Sequence, residues 1–288
     1  MAKANTKPSK GATVLEFDTD AIKRTEQKVA QETDEQIVER LRERFDILDE
    51  MTRAVKKGDI RAMIVSGPPG VGKSFGVEKV LEKDGLFDKL ADRKAKYEVC
   101  KGAMSSLGLY AKLHEFSAKG NVVVFDDCDS ILMEDLSLNI LKGALDSSER
   151  RFISWNTDSR LLRSEGIPDR FEFKAAAIFI TNIKFEHVRS KKLRDHLDAL
   201  ESRCHYIDLQ MDTNREKILR IKQIVGDGML QRYEFEEAEK KEIVDFIVAN
   251  QDKLRELSLR MVLKIADLKK SFPKSWVAMS RTTCMKRA

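Results

Sequence analysis

The chain has 288 residues, 42% hydrophobic and 35% charged, with 53 basic against 48 acidic side chains and a net charge of +5. That length fits about two domains with a buried core. No run approaches the ~18 apolar residues a membrane span needs, and 14 Gly with 5 Pro exclude a collagen-like or low-complexity chain.

Residues 1–32 are polar and read as a flexible arm. A helix is predicted from Thr33, where Thr33 and Gln36 have capping-box spacing. Ile37, Leu41, Phe45, Leu48, Met51 and Val55 continue it on one face, and Gly58 ends it. Apolar runs at Ala62 to Val65, Val122 to Phe125 and Ala175 to Thr181, with a weaker one at Tyr97 to Cys100, predict buried strands. Helical patterns at Phe75 to Leu81, Leu107 to Phe116 and Leu136 to Leu145 alternate with them. The order predicts an α/β core, residues 33–211, with a parallel sheet covered by helices on both faces. From Asp212 no strand pattern appears. A second capping box, Thr213 and Glu216, opens a helical lid predicted over 212–270, followed by a basic tail at 271–288.

Gly67-Pro68-Pro69-Gly70-Val71-Gly72-Lys73-Ser74 matches GxxxxGK[ST] between a strand and a helix that starts at Phe75. Glycines let the backbone curl so that several N–H groups face one anion, and the helix terminus adds its dipole. Gly67 to Phe75 is therefore the expected nucleotide cradle. Lys73 reaches the β- and γ-phosphates of ATP, and the Ser74 hydroxyl is a Mg²⁺ ligand. Val122 to Phe125 runs into Asp126-Asp127, which places two carboxylates at the sheet edge beside this loop. Asp126 is the expected second Mg²⁺ ligand and Asp127 the group that orients or deprotonates the attacking water. Asp129 is expected to play a supporting part.

With these two motifs the chain resembles an AAA+ ATPase over residues 33 to 268. The resemblance implies further roles at matching positions. Phe179-Ile180-Thr181-Asn182 is similar to the family's sensor 1, with Asn182 near the γ-phosphate. Ser202-Arg203-Cys204 resembles the clamp-loader motif whose arginine completes a neighbour's ATP site, so Arg203 is the arginine-finger candidate. Ser258-Leu259-Arg260 is similar to sensor 2, which makes Arg260 the lid's contact to nucleotide, with Arg255 a competitor. An arginine acting in trans implies a homo-oligomer, a hexameric ring or spiral, although clamp-loader relatives form pentamers. Paired aspartates replace the family's usual Asp-Glu, which allows hydrolysis to be slow.

Phe152 to Trp155 and Arg170 to Phe173 look like a hairpin, similar to the pre-sensor 1 hairpin of some AAA+ branches. Its insert carries Arg160 and Arg163, which suit phosphate contacts. Lys101 to Ser106 is a second candidate channel loop. Tyr110, the one residue similar to an unfoldase pore aromatic, falls where helix patterning predicts core. Lys191-Lys192-Leu193-Arg194 reads as a solvated face. The expected function is an ATP-driven protein that remodels or loads partners on DNA. A protein-remodelling chaperone and a weakly hydrolysing nucleotide-gated switch are the alternatives. Cys100, Cys128, Cys204 and Cys284 lack CxxC spacing and read as reduced thiols. The polar N-terminus has no signal-like core, so a cytoplasmic location is expected. Source and substrate stay open; compactness alone is compatible with a phage or plasmid origin.

Overall fold

A computed structural model describes residues 32–90, 95–185, 188 and 190–287, with residues 84–90 described by backbone alone. The expected N-terminal arm, apart from Glu32, lies outside the described residues. Helix α1, Asp34–Lys57, is capped by the reciprocal bonds of Thr33 and Gln36 and ends at Gly58, whose φ of 86° is left-handed. Strands β1 (Ala62–Ser66), β2 (Tyr97–Lys101) and β3 (Val122–Asp126) alternate with α2 (Lys73–Leu90) and α3 (Ser106–Glu115). Next come α4 (Ser130–Met133), α5 (Asp135–Ala144), β4 (Phe152–Ser154), α6 (Arg160–Ser164) and β5 (Arg170–Glu172). The core closes with β6 (Ala176–Thr181), α7 (Lys191–Glu201) and β7 (His205–Asp208).

Five strands form a parallel sheet in the order β2-β3-β6-β1-β7. Strands β1, β3 and β6 are buried along their whole length. Their continuous apolar runs follow from this, because both faces are covered. One apolar cluster joins the sheet to α3, α5 and α7. A second joins its other face to α1 and α2. All three strong runs and the weaker one are strands. Strand β7 was not expected: His205-Tyr206-Ile207-Asp208 buries only Ile207, so an edge strand left no apolar run to read.

Helices α8 (Asn214–Gly226), α9 (Glu237–Ala249), α10 (Leu259–Ser271) and α11 (Trp276–Cys284) follow. The Thr213–Glu216 capping box opens α8. The four helices share an apolar cluster of their own. The segment read as a basic tail is a correction. It forms α11, whose Trp276 and Cys284 are buried in this cluster. Leu254 bridges to Met285, which ties the segment back to the loop before α10. No described helix is long and apolar enough to cross a membrane.

Candidate nucleotide site

The glycine-rich loop leaves the C-terminal end of β1 and turns into α2. Two of its glycines have left-handed backbones, Gly70 at φ 71° and Gly72 at φ 103°, as the curl requires. Gly67 is packed so closely on Leu209 that a Cβ there would lie 2.9 Å from the Leu209 carbonyl oxygen. Pro69 and Gly70 form the turn, and Val71 is buried among Ile37, Leu41, Met211 and Leu219. Phe75 departs from the others: it is 72% exposed, on the outer side of α2.

Lys73, at the start of α2, is 5% exposed. Its ammonium donates to Gly67 O (2.6 Å), Pro68 O (2.9 Å) and Asn182 Oδ1 (2.8 Å). Asn182 in turn donates from Nδ2 to Asp127 Oδ1 at 2.8 Å. Ser74 Oγ donates to Asp126 Oδ1 at 2.8 Å. Loop, acidic strand end and Asn182 thus meet in one hydrogen-bonded group at the C-terminal edge of the sheet. Parallel pairing explains this: β1, β6 and β3 are adjacent, so their ends emerge side by side.

The electrostatics oppose one another. Burial pushes the Lys73 ammonium down to about 8, although Asp127, Asp126 and Asp129 all pull it upward, and Arg260 adds to the lowering. Burial raises the Asp126 carboxyl above its ordinary value, offset by the Ser74 hydrogen bond. Asp129 is raised by burial too; it accepts a 2.6 Å bond from Thr181 Oγ1, as fits a supporting part. Asp127 has φ 53°, rare for a residue with a side chain, and its N–H donates to Ile180 O at 3.0 Å. That left-handed turn directs the carboxylate to Asn182.

Two neighbours of the site were not read from sequence. Lys101, assigned to a channel loop, places its ammonium 2.7 Å from Glu78 Oε1 and 3.6 Å from Asp126 Oδ2. The register that sets Lys101 beside Asp126 is the cause, and only the sheet order reveals it. Glu78 lies one turn after Ser74 on α2, a spacing the sequence did contain.

The lid rests directly on the loop. Leu259 N–H, in the first turn of α10, donates to Gly70 O at 2.8 Å. A Cβ on Gly70 would lie 2.7 Å from Ser258 Cβ and 3.7 Å from Arg260 Cβ. Arg260 is exposed beside the loop, its charge felt at Lys73. The competitor Arg255 is turned away, with Nε donating to Met285 O at 3.0 Å.

Arg203 is not brought to this site. It precedes β7, at the N-terminal edge of the sheet, whereas the loop follows the C-terminal end of β1. Its Nη1 donates to the Ala199 carbonyl and, at 3.4 Å, to Ser202 Oγ, and its Nε is buried without a hydrogen-bond partner. The hairpin β4–β5 exists as expected and holds α6 as an insert. Arg163 is paired with Asp158. Tyr110 is fully buried, packed on Trp155 and Phe171, with its hydroxyl on Pro168 O at 2.8 Å. Lys191, Lys192 and Arg194 are solvated on α7.

No family model matches the chain. An uncharacterized 36.7 kDa protein from the nrdC–mobD intergenic region of Enterobacteria phage T4 is 33% identical over 248 residues, covering 85% of this chain and 74% of that protein. The chain belongs to that phage protein's family. Its parallel sheet, glycine-rich loop after β1 and helical unit seated on that loop are the α/β core and C-terminal helices that the motifs led one to expect. Among solved structures, domain III of the Thermotoga maritima replication initiation protein DnaA is 14% identical, with a TM-score of 0.45, covering 84% of this chain and 92% of that one. The Aeropyrum pernix ORC2 protein in its ADP form is 13% identical, with a TM-score of 0.46, covering 83% and 67%. A DNA replication initiation factor is 13% identical, with a TM-score of 0.39; the match covers 82% of this chain but spans only 62% of that protein. Likenesses this distant add nothing to the topology already described.

Proposed function

We propose that the protein binds and hydrolyses ATP between its α/β core and its lid, and uses turnover, as a homo-oligomer, to remodel or load partners on DNA. The carrying observation is the hydrogen-bonded group of Lys73, Asn182, Asp127, Ser74 and Asp126 at one sheet edge. A buried lysine held by three carbonyl oxygens is poised to exchange them for phosphate oxygens. The α2 N-terminus and curled loop direct N–H groups to the same place. Asn182 and Asp127, already bonded, orient and accept a proton from the attacking water. Arg260 neutralises charge from the lid side.

The donor set fits Mg²⁺. Ser74 Oγ and one Asp126 oxygen are hard ligands side by side, and no group of three His, Cys, Asp or Glu among the described residues forms a cage. That suits an ion that keeps its waters and arrives with phosphates. Mg²⁺ would supply charge neutralisation of the transferring phosphoryl group.

Arg203 lies at the opposite edge of the sheet from its own loop, so a nucleotide site that used it would belong to another chain. The burial of Tyr110 weighs against the chaperone reading, since a core tyrosine does not line a channel. The DNA assignment rests on the resemblance and on the exposed cations of the hairpin. Mixing Lys73→Ala chains with Arg203→Ala chains tests the site. Each alone should lack turnover, while mixtures should regain a fraction of it, because the first supplies the arginine and the second the loop. Mixtures as inert as their parts would refute a shared site. Turnover that duplex or single-stranded DNA leaves unchanged at low salt would refute the DNA assignment.

A further inference from the structure

A cavity of about 530 Å³ opens at the opposite edge of the sheet, among the N-terminal ends of β1, β3 and β6. Five basic side chains line it against two carboxylates, Glu149 and Glu172. Glu172 is shared by Arg150 and Lys174, at 3.0 Å from each, which holds its carboxyl down to about 2.

Two of the cations, the buried Arg151 and the exposed Arg61, have no carboxylate partner among the described residues. Arg151 is 7% exposed, and its Nη1 and Nη2 donate to Ala144 O and Ala175 O, both at 2.9 Å. Arg61 Nη1 is shared by the carbonyls of Asp146, Ser147 and Ser148, at 3.2, 3.0 and 3.0 Å. Burial, and then the charge of Arg61, push the Arg151 guanidinium down to about 10. Backbone carbonyls thus hold each guanidinium group at the cavity, where the charge of Arg61 opposes that of Arg151. A positive potential focused in a cavity attracts an anion, and an anion seated there would relieve the repulsion.

We propose that this cavity binds a compact phosphate-bearing anion, touched by Arg61 and by Lys119 and Lys174 at the rim, with Arg151 as a fixed charge behind them. Its size is that of a small-ligand site. An excess of converging cations suits a multiply charged group, and Arg forks with Lys ammonium groups are the usual phosphate donors. The site is separate from the glycine-rich loop, at the other end of the strands. The phosphate group has two possible sources: a free phosphate compound or the phosphorylated end of a nucleic-acid strand.

Calorimetry with inorganic pyrophosphate at low salt tests this, in the full-length chain and in Lys73→Met, which removes the phosphate lysine of the other site. Binding should persist in Lys73→Met and weaken at least about tenfold when Lys119→Gln and Lys174→Gln are added to that variant, two exposed rim positions whose folding circular dichroism verifies. No binding at millimolar pyrophosphate in Lys73→Met, or equal affinity with the rim lysines removed, would overturn the proposal. Oligothymidylate with a 5′-phosphate and its 5′-hydroxyl twin then compete against pyrophosphate. Displacement by the phosphorylated strand alone identifies a strand end, and displacement by neither identifies a free compound. Equal displacement by both would mean backbone phosphodiesters, and the compact anion would be wrong.

Discussion

Gly70 stands between loop and lid, so its replacement by alanine reports how tightly the two are joined. Its φ of 71° costs an alanine about 1–2 kcal/mol in the left-handed region. The new Cβ would also sit 2.7 Å from Ser258 Cβ, an overpacking worth about 1–3 kcal/mol. Gly70→Ala should therefore destabilise by about 2–5 kcal/mol, or roughly 5–15 °C in Tm for a chain of this size. Ser258→Gly removes the obstructing atom and, at a helix N-cap, costs only a few tenths of a kcal/mol. The double variant should regain about 1–3 kcal/mol over Gly70→Ala, while the backbone strain remains. Thermal unfolding of the four proteins, completed as a double-mutant cycle, gives this coupling directly. Strict additivity would mean that lid and loop do not touch as described, and the reasoning would fail.

Three other outcomes are expected. Burial raises the Cys100 and Cys128 thiols to about 11 each. Folding thus favours their protonated form, and that stability, whole below about pH 9, is lost as pH rises through 11, by up to roughly 3 kcal/mol per thiol. Tm between pH 8 and 11 should fall more steeply for the wild type than for Cys100→Ala/Cys128→Ala; parallel curves would contradict it. Trp276→Ala should cost about 3–5 kcal/mol, measured by denaturant unfolding, because Trp276 is core and packs edge-on to Phe246; a loss under 1 kcal/mol would return the segment to the status of a tail. Tyr110→Phe should lose about 1 kcal/mol with the Pro168 hydrogen bond and leave turnover per folded molecule unchanged, whereas a selective loss of DNA- or protein-stimulated turnover would give Tyr110 a working role.

What could be read from sequence depended on whether the signal was local. The glycine-rich loop, Asp126-Asp127 and Asn182 were legible because each ends an apolar run, and parallel strands deliver such ends to one edge. Capping boxes were legible because Thr33 with Gln36, and Thr213 with Glu216, act within one turn. Strand β7 was not, since pairing with β1 stabilises it more than its own apolar content does. Helix α11 was masked by the charge of its segment: Lys274, Arg281, Lys286 and Arg287 are exposed, while Trp276, Ser280 and Cys284 recur every four residues on the buried side. Neither the Lys101–Asp126 approach nor the turning away of Arg255 had any local sign, because both depend on which distant segments become neighbours.

Arg203 and the glycine-rich loop lie at opposite ends of the same strands. If each arginine serves another copy, either a twofold pair, in which each copy's arginine meets the other's loop, or a head-to-tail row can complete the sites. An open row of such subunits always ends in one loop that lacks its arginine, and closing the row removes that defect. Catalytic output should then climb more steeply than the number of assembled chains, and one chain without its arginine would silence a neighbour rather than itself.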